Sequence, residues 1–273
     1  MTPPLNPNSP ALFRAALALD PLGDDLRAAM DLAAGAGFSG VAVGARHPTL
    51  APANLGPTGR RHLRRTLASR GLQLTCLRSG ARAGGIFDPA MVDRCVTEAL
   101  AAIQLAGDLK ASTVSIYLGD PGPGAPPPET WRRAVDALAE QADRVGIQLA
   151  LSSSAVAPLA RILAVINAPW VQANLDTLRL LGAGDNLESA LPTLAGRIGL
   201  WTCADAVRSG NALRPVELGC GQAQPEKILS ALREIDFHGP IVADVRDLSN
   251  PAAAATRAAT FLRTELSRYT TGT

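Results

Sequence analysis

Aromatic side chains make up only 4% of the 273 residues. A core must therefore be built mainly from Ala, Leu, Val and Ile. Lysine is nearly absent, with Lys110 and Lys227 standing against 24 arginines. Arginine is the better planar fork for phosphate and carboxylate, so single positions carry weight. Histidine occurs three times and cysteine four times, with no CxxC pair. That excludes a dense disulfide framework and fits reduced thiols in a cytoplasmic protein. A net charge of +2 gives no bulk attraction to nucleic acid or to an anionic membrane surface. No apolar run is long enough to span a bilayer. The opening MTPPLNPNSP has no basic stretch, and the apolar segment behind it carries Arg14 and Asp20. It does not read as a secretory signal.

What is present is a regular alternation. Short apolar runs at 15–19, 40–43, 73–77, 113–118, 147–151, 171–175, 198–201 and 241–245 read as eight strands. Between them lie longer amphipathic segments. Trp131, Val135, Leu138, Ala142 and Val145 recur at helical spacing, as do Val92, Cys95, Ala99, Ile103 and Ala106. Pro89 and Pro225 stand where helices should begin, and Gly37, Gly71 and Gly146 where they should end. Eight strand–helix units predict a single (β/α)₈ barrel over residues 11–273, with residues 1–10 as a disordered lead-in. A doubly wound open sheet is the alternative, but no Gly-rich dinucleotide fingerprint follows the first strand. The stretch 119–128 (GDPGPGAPPP) reads as a stiff connector after the fourth strand.

In such barrels chemistry sits at the strand C-termini and the loops after them. The polar residues there are Arg46 and His47 after strand 2, Arg78 and Arg82 after strand 3, and Asp120 after strand 4. Ser152, Ser153 and Ser154 follow strand 5, and Asp176 and Arg179 follow strand 6. Thr202, Cys203, Asp205, Arg208, Arg214 and Glu217 lie along one long loop after strand 7. Asp244, Arg246 and Asp247 complete the set. Several arginines converging with a few acids suit a small polyhydroxylated anion. The competing reading of any one arginine is an ordinary rim ion pair, and of Asp176 or Asp244 a turn cap. Cys203 has no obvious histidine to activate it and reads as a buried thiol. His62 and His238 fall away from the strand C-termini, and only His47 shares the active face.

The phrases GFSGVAV, RRTLASRGLQLTCL, ALAEQADRVGIQLAL, VQANLDT, RIGLWTCAD and LGCGQAQPEKILSALREIDFHGPIVAD together resemble the xylose isomerase-like barrels. These are sugar phosphate isomerases and epimerases, with apurinic endonucleases as relatives. The resemblance runs from about Ala15 to Leu266. It implies one divalent metal held by Glu, Asp, His and Glu at the ends of strands 5 to 8, which polarises a carbonyl while the glutamates move a proton. Matched residue by residue, those positions carry Ser152, Asp176, Thr202 and Asp244. A histidine that often follows the strand 6 acid is matched by Arg179, and a substrate arginine by Arg208.

Ser and Thr hydroxyls are poor ligands for a divalent ion. The expected site is therefore degenerate: Asp176 and Asp244 as catalytic acids and as the two remaining metal ligands, holding Mg²⁺ or Mn²⁺ weakly or not at all. His47, Arg78, Ser152, Arg179, Asp205, Arg208 and Arg246 are the expected substrate contacts. The resemblance implies an isomerase or epimerase of a sugar or sugar phosphate with altered metal chemistry. The rival expectation is a non-catalytic barrel that binds a sugar-like ligand or a protein partner. An endonuclease is disfavoured because the three histidines are scattered. Barrels of this kind often pair, which leaves a homodimer open.

Overall fold

The computed structural model describes residues 15–51, 55–80, 85–119, 129–210 and 212–270. The expected lead-in, Arg82, and residues 120–128 of the connector lie outside them. Eight parallel strands close on themselves in the order β1-β10-β7-β6-β5-β4-β3-β2. They are β1 (Ala15–Ala18), β2 (Gly40–Gly44), β3 (Gln73–Gly80), β4 (Thr113–Tyr117), β5 (Gln148–Ser152), β6 (Val171–Asp176), β7 (Ile198–Cys203) and β10 (Ile241–Ala243). The barrel predicted from the sequence is thus the fold. Helices α1 (Leu26–Ala36), α2 (Pro57–Ala68), α3 (Val92–Leu109), α4 (Glu129–Val145) and α5 (Val156–Ala164) fill the first crossovers. Short α6 (Thr177–Ala183) and α7 (Leu187–Thr193) share the next, followed by α8 (Pro225–Glu234) and α9 (Pro251–Thr270). No helix among the described residues is long and apolar enough to cross a membrane.

Strand periodicity sorts the side chains into two sets. Leu17, Val41, Val43, Leu77, Val114, Leu149, Leu151 and Trp201 join the main core with the helices. The alternate positions Ala16, Ala18, Ala42, Cys76, Ala150, Leu200 and Val242 form a separate buried cluster inside the barrel. Most of these are small, which suits a chain poor in aromatics. Helix ends follow local chemistry. Asp25 caps α1 by accepting from the amides of Arg27 and Ala28, both at 3.0 Å. Pro225 opens α8 as expected. Pro89 does not open α3, which starts three residues later; instead Asp88 accepts from the amide of Ala90 at 2.9 Å in the preceding turn.

One element departs from the expectation. The stretch after β7, read as a loop, contains an antiparallel pair, β8 (Asp205–Ser209) and β9 (Ala212–Val216), in register Asp205 with Val216 and Ser209 with Ala212. This pair forms its own two-stranded sheet outside the barrel.

Candidate active site

The inward parity that places alanines inside the barrel brings polar residues to its C-terminal end. On β4 the inward side carries Ser115 and Tyr117, on β5 Ser152, on β6 Asn174 and Asp176, on β7 Thr202. Strand register sets them level, with Tyr117 beside Ser152 and Asp176 beside Thr202. Together with Asp20, Arg78, Arg179 and Arg246 they line an open cavity of about 640 Å³.

One side of the cavity is neutral. Asn174 Nδ2 donates to Ser115 Oγ at 3.1 Å, and Thr202 Oγ1 donates to Asn174 Oδ1 at 3.0 Å. Ser152 turns its hydroxyl toward the Ile116 carbonyl at 3.5 Å. The other side is a chain of alternating charges. Asp20 pairs with Arg78, and Arg78 Nη1 lies 2.7 Å from Asp244 Oδ2. Arg246 holds the same oxygen, with Nε at 2.9 Å and Nη2 at 2.6 Å, and its amide donates to Asp244 Oδ1 at 3.1 Å. Nη2 of Arg246 also lies 3.7 Å from Asp176 Oδ2. Arg179 Nε lies 3.2 Å from that oxygen without an aligned hydrogen bond, and its guanidinium carbon sits over the Tyr117 ring, 3.6 Å from the centroid. Asp20 accepts twice from the Gly44 amide, at 2.9 and 3.0 Å. A Cβ at Gly44 would come within 2.6 Å of Asp20 Oδ1, so a larger residue there would push the Asp20 carboxylate off this amide.

These contacts set the ionisation of the buried acid. Burial of Asp244 works to raise its pKa, but Arg78 and Arg246 outweigh burial and hold it below the ordinary carboxylate value. Both arginines are held charged: burial opposes this, and the nearby aspartates prevail. Burial pushes the Cys76 thiol up to about 12 and the Cys203 thiol well above its usual value. Neither is a nucleophile at neutral pH.

Of the residues expected to be catalytic or to contact substrate, Arg78, Ser152, Asp176, Arg179 and Arg246 line the cavity, and Asp244 lies fully buried beneath Arg78 and Arg246. Asp176 also fills the cap role, accepting from the Arg179 amide at 3.4 Å. Three residues lie elsewhere. His47 is buried beside a short turn, with Nδ1 accepting from the Thr49 amide at 3.2 Å. Asp205 is buried as the acceptor of four backbone amides, those of Ala206, Gly219, Gly221 and Ala223, at 2.8–3.0 Å. Arg208 extends along β8 and donates to the Leu181 carbonyl. Asp20, Ser115, Tyr117 and Asn174 were not singled out. Alternation along β4 and β6 points to the last three, since Asn174 sits two residues before Asp176 on the same face.

The donor set does not match the demands of a divalent ion. Both carboxylates are taken up by arginines, and the two hydroxyls at the remaining positions bond to protein. Among the described residues no three of His, Cys, Asp and Glu gather closely enough to hold a metal.

A closed eight-stranded parallel barrel with a polar mouth defines the class. Within it, the family model for the xylose isomerase-like TIM barrel matches residues 30–265, and the chain belongs to that family. A comparison with curated proteins found no match. Among solved structures, a xylose isomerase domain protein from Planctomyces limnophilus superposes with a TM-score of 0.78 at 20% identity, over 93% of this chain and 97% of that one. The D-psicose 3-epimerase of Clostridium cellulolyticum H10, solved with D-tagatose, gives 0.73 at 17%, over 93% and 99%. The IolI protein, solved with a bound zinc atom, gives 0.75 at 17%, over 94% and 99%. At these identities the likeness speaks for the fold.

Proposed function

We propose that the barrel mouth binds a small sugar or sugar phosphate and isomerises or epimerises it by proton transfer at the carbon next to its carbonyl. The observation that carries this reading is the division of one cavity into a neutral hydroxyl–amide face and a facing row of Asp20, Arg78, Asp244, Arg246, Asp176 and Arg179. Sugar hydroxyls suit the first and an anionic or enolate oxygen the second. Asp176 is the group placed to move the proton. Its Oδ1 accepts a single long hydrogen bond from described residues. The C–H bond breaks toward that oxygen, and the electron pair moves onto the carbonyl oxygen as an enediolate between the Arg179 and Arg246 guanidiniums. Asp176 then delivers the proton to the neighbouring carbon, the former carbonyl carbon, while the hydroxyl proton passes to the oxygen on that carbon. The second oxygen becomes the new carbonyl, aldose and ketose interconvert, and Asp176 is left ionised as before. Asp244 is too tightly paired to act as a base and serves to position the arginines. The D-psicose 3-epimerase neighbour, with its ketose ligand, supports the substrate class. Four free cysteines agree with a reducing, cytoplasmic setting.

One observation favours the second reading, a barrel that binds without turnover: both Asp176 and Asp244 already have arginine partners within the protein. Proton NMR in D₂O with ketoses, aldoses and their phosphates separates the two. Catalysis predicts solvent deuterium entering the carbon next to the carbonyl, slowed at least about a hundredfold in Asp176→Asn. Saturable ligand shifts with no deuterium incorporation would instead select the binding protein.

A further inference from the structure

Between Asp176 and Asp244 stands a guanidinium. Arg246 reaches both carboxylates with one nitrogen, Nη2, at 3.7 Å from the first and 2.6 Å from the second. Three contacts fix its position: Nε and Nη2 on Asp244 Oδ2, and the backbone amide on Asp244 Oδ1. Arg78 approaches Asp244 from β3 and closes its coordination. No described residue takes a hydrogen bond from Arg246 Nη1, and the side chain lines the cavity with a third of its surface exposed. The charge between the two acids is therefore already matched, while one edge of the fork still faces the ligand space.

We propose that Arg246 is a built-in cation: it neutralises Asp176 and Asp244 in place of a divalent ion and presents Nη1 to a ligand oxygen that carries negative charge. The site is then metal-independent by construction. It takes ligands whose carboxylate, phosphate or enolate oxygen accepts from a planar fork, and the geometry is fixed by hydrogen bonds rather than by a coordination sphere. This deepens the reading of the same cavity as a sugar site, but it does not depend on turnover. A barrel that converts nothing still has a defined cation between its acids.

The test measures cation binding, with Mn²⁺ as the probe, by calorimetry and electron paramagnetic resonance. Wild-type protein is expected to bind no Mn²⁺ below about 1 mM. Arg246→Met keeps the bulk of the side chain and leaves two facing carboxylates with one arginine fewer. It is expected to gain Mn²⁺ affinity at least about tenfold over wild type, and free guanidinium ion should compete for the gap. Arg246→Lys keeps the charge and should stay metal-free. Should the Met variant fold poorly, Asp244→Asn/Arg246→Met removes one charge of each sign; it should fold and bind no Mn²⁺. Stoichiometric, micromolar Mn²⁺ on wild type would overturn the proposal. So would an Arg246→Met protein that folds yet gains affinity for neither cation, or a double variant that binds Mn²⁺ as well as the single one. Deuterium exchange fails or succeeds independently of all these outcomes, so loss of the enzymatic reading and loss of this one are told apart.

Discussion

Asp244 shows how one residue carries both stability and site chemistry. Its side chain is fully buried, and burial alone would disfavour its charge. It stays ionised because Arg78 on β3 and Arg246 in the turn after β10 grip the same oxygen. Removing that carboxylate leaves two guanidiniums facing each other across the mouth, and breaking such a buried pair costs about 3 to 5 kcal/mol. Asp244→Asn is therefore expected to lower the urea midpoint at pH 7. The pH dependence has a definite sign. The folded pKa lies below the unfolded one, so this stabilisation is fully present above the unfolded carboxylate value, near pH 4 by ordinary standards, and is lost as the pH falls through the folded value. The stability gap between wild type and Asp244→Asn should hold from pH 7 to about 5 and shrink below about 4. A gap that stays constant down to pH 3 would mean that Asp244 is not held ionised by its partners.

At the scale of elements, the hairpin β8–β9 is where sequence and structure part. Asp205 stood among strand-end acids and read as a substrate contact; in the structure its carboxylate holds the amides of its own loop. Its two oxygens take the amides of Ala206, Ala223, Gly219 and Gly221, and at Gly221 a Cβ would come within 2.2 Å of Asp205 Oδ1. Such an arrangement joins residues up to 18 positions apart, so no local pattern reveals it. The hairpin left a trace in the sequence, since a Gly-Asn dipeptide, a composition that favours tight turns, separates DAVRS from ALRPV. Its flanks, DAVRS and ALRPV, lack clean alternation because this small sheet does not bury one apolar face. Asp205→Ala leaves four amides without their acceptor. It should cost about 3 kcal/mol and speed hydrogen exchange at Gly219, Gly221 and Ala223, with the barrel strands still protected. Uniform loss of protection across β1 to β7 would assign Asp205 to the core of the barrel instead of its loop.

At the scale of the whole molecule, closure is what makes most of the site legible. Eight strands of alternating parity aim every second residue at one axis, so strand spacing alone brings Arg78, Ser152, Asp176, Thr202 and Asp244 together from five strands. What strand spacing does not reveal is which charges meet there. That Arg246 would fold back between two acids depends on a turn through Asp247, whose φ is +61°, and on Arg78 reaching across the mouth. This has a consequence for rebuilding a metal site. Ser152→Glu, Thr202→His and Asp244→Glu restore the family's four donor types at converging strand ends, yet the guanidinium still occupies the space between them. Incoming Mn²⁺ would meet a like charge within contact range, a repulsion on the order of several kcal/mol even at an effective dielectric of about 20. The triple variant is therefore expected to bind Mn²⁺ no better than wild type. Adding Arg246→Met should lower the dissociation constant at least about a hundredfold, because four donors then converge on an unopposed position. Calorimetric titration of both variants, each checked for native thermal unfolding, decides the matter. Equal tight binding by the triple and quadruple variants would show that Arg246 moves aside freely, and that the barrel mouth is set by its strands alone.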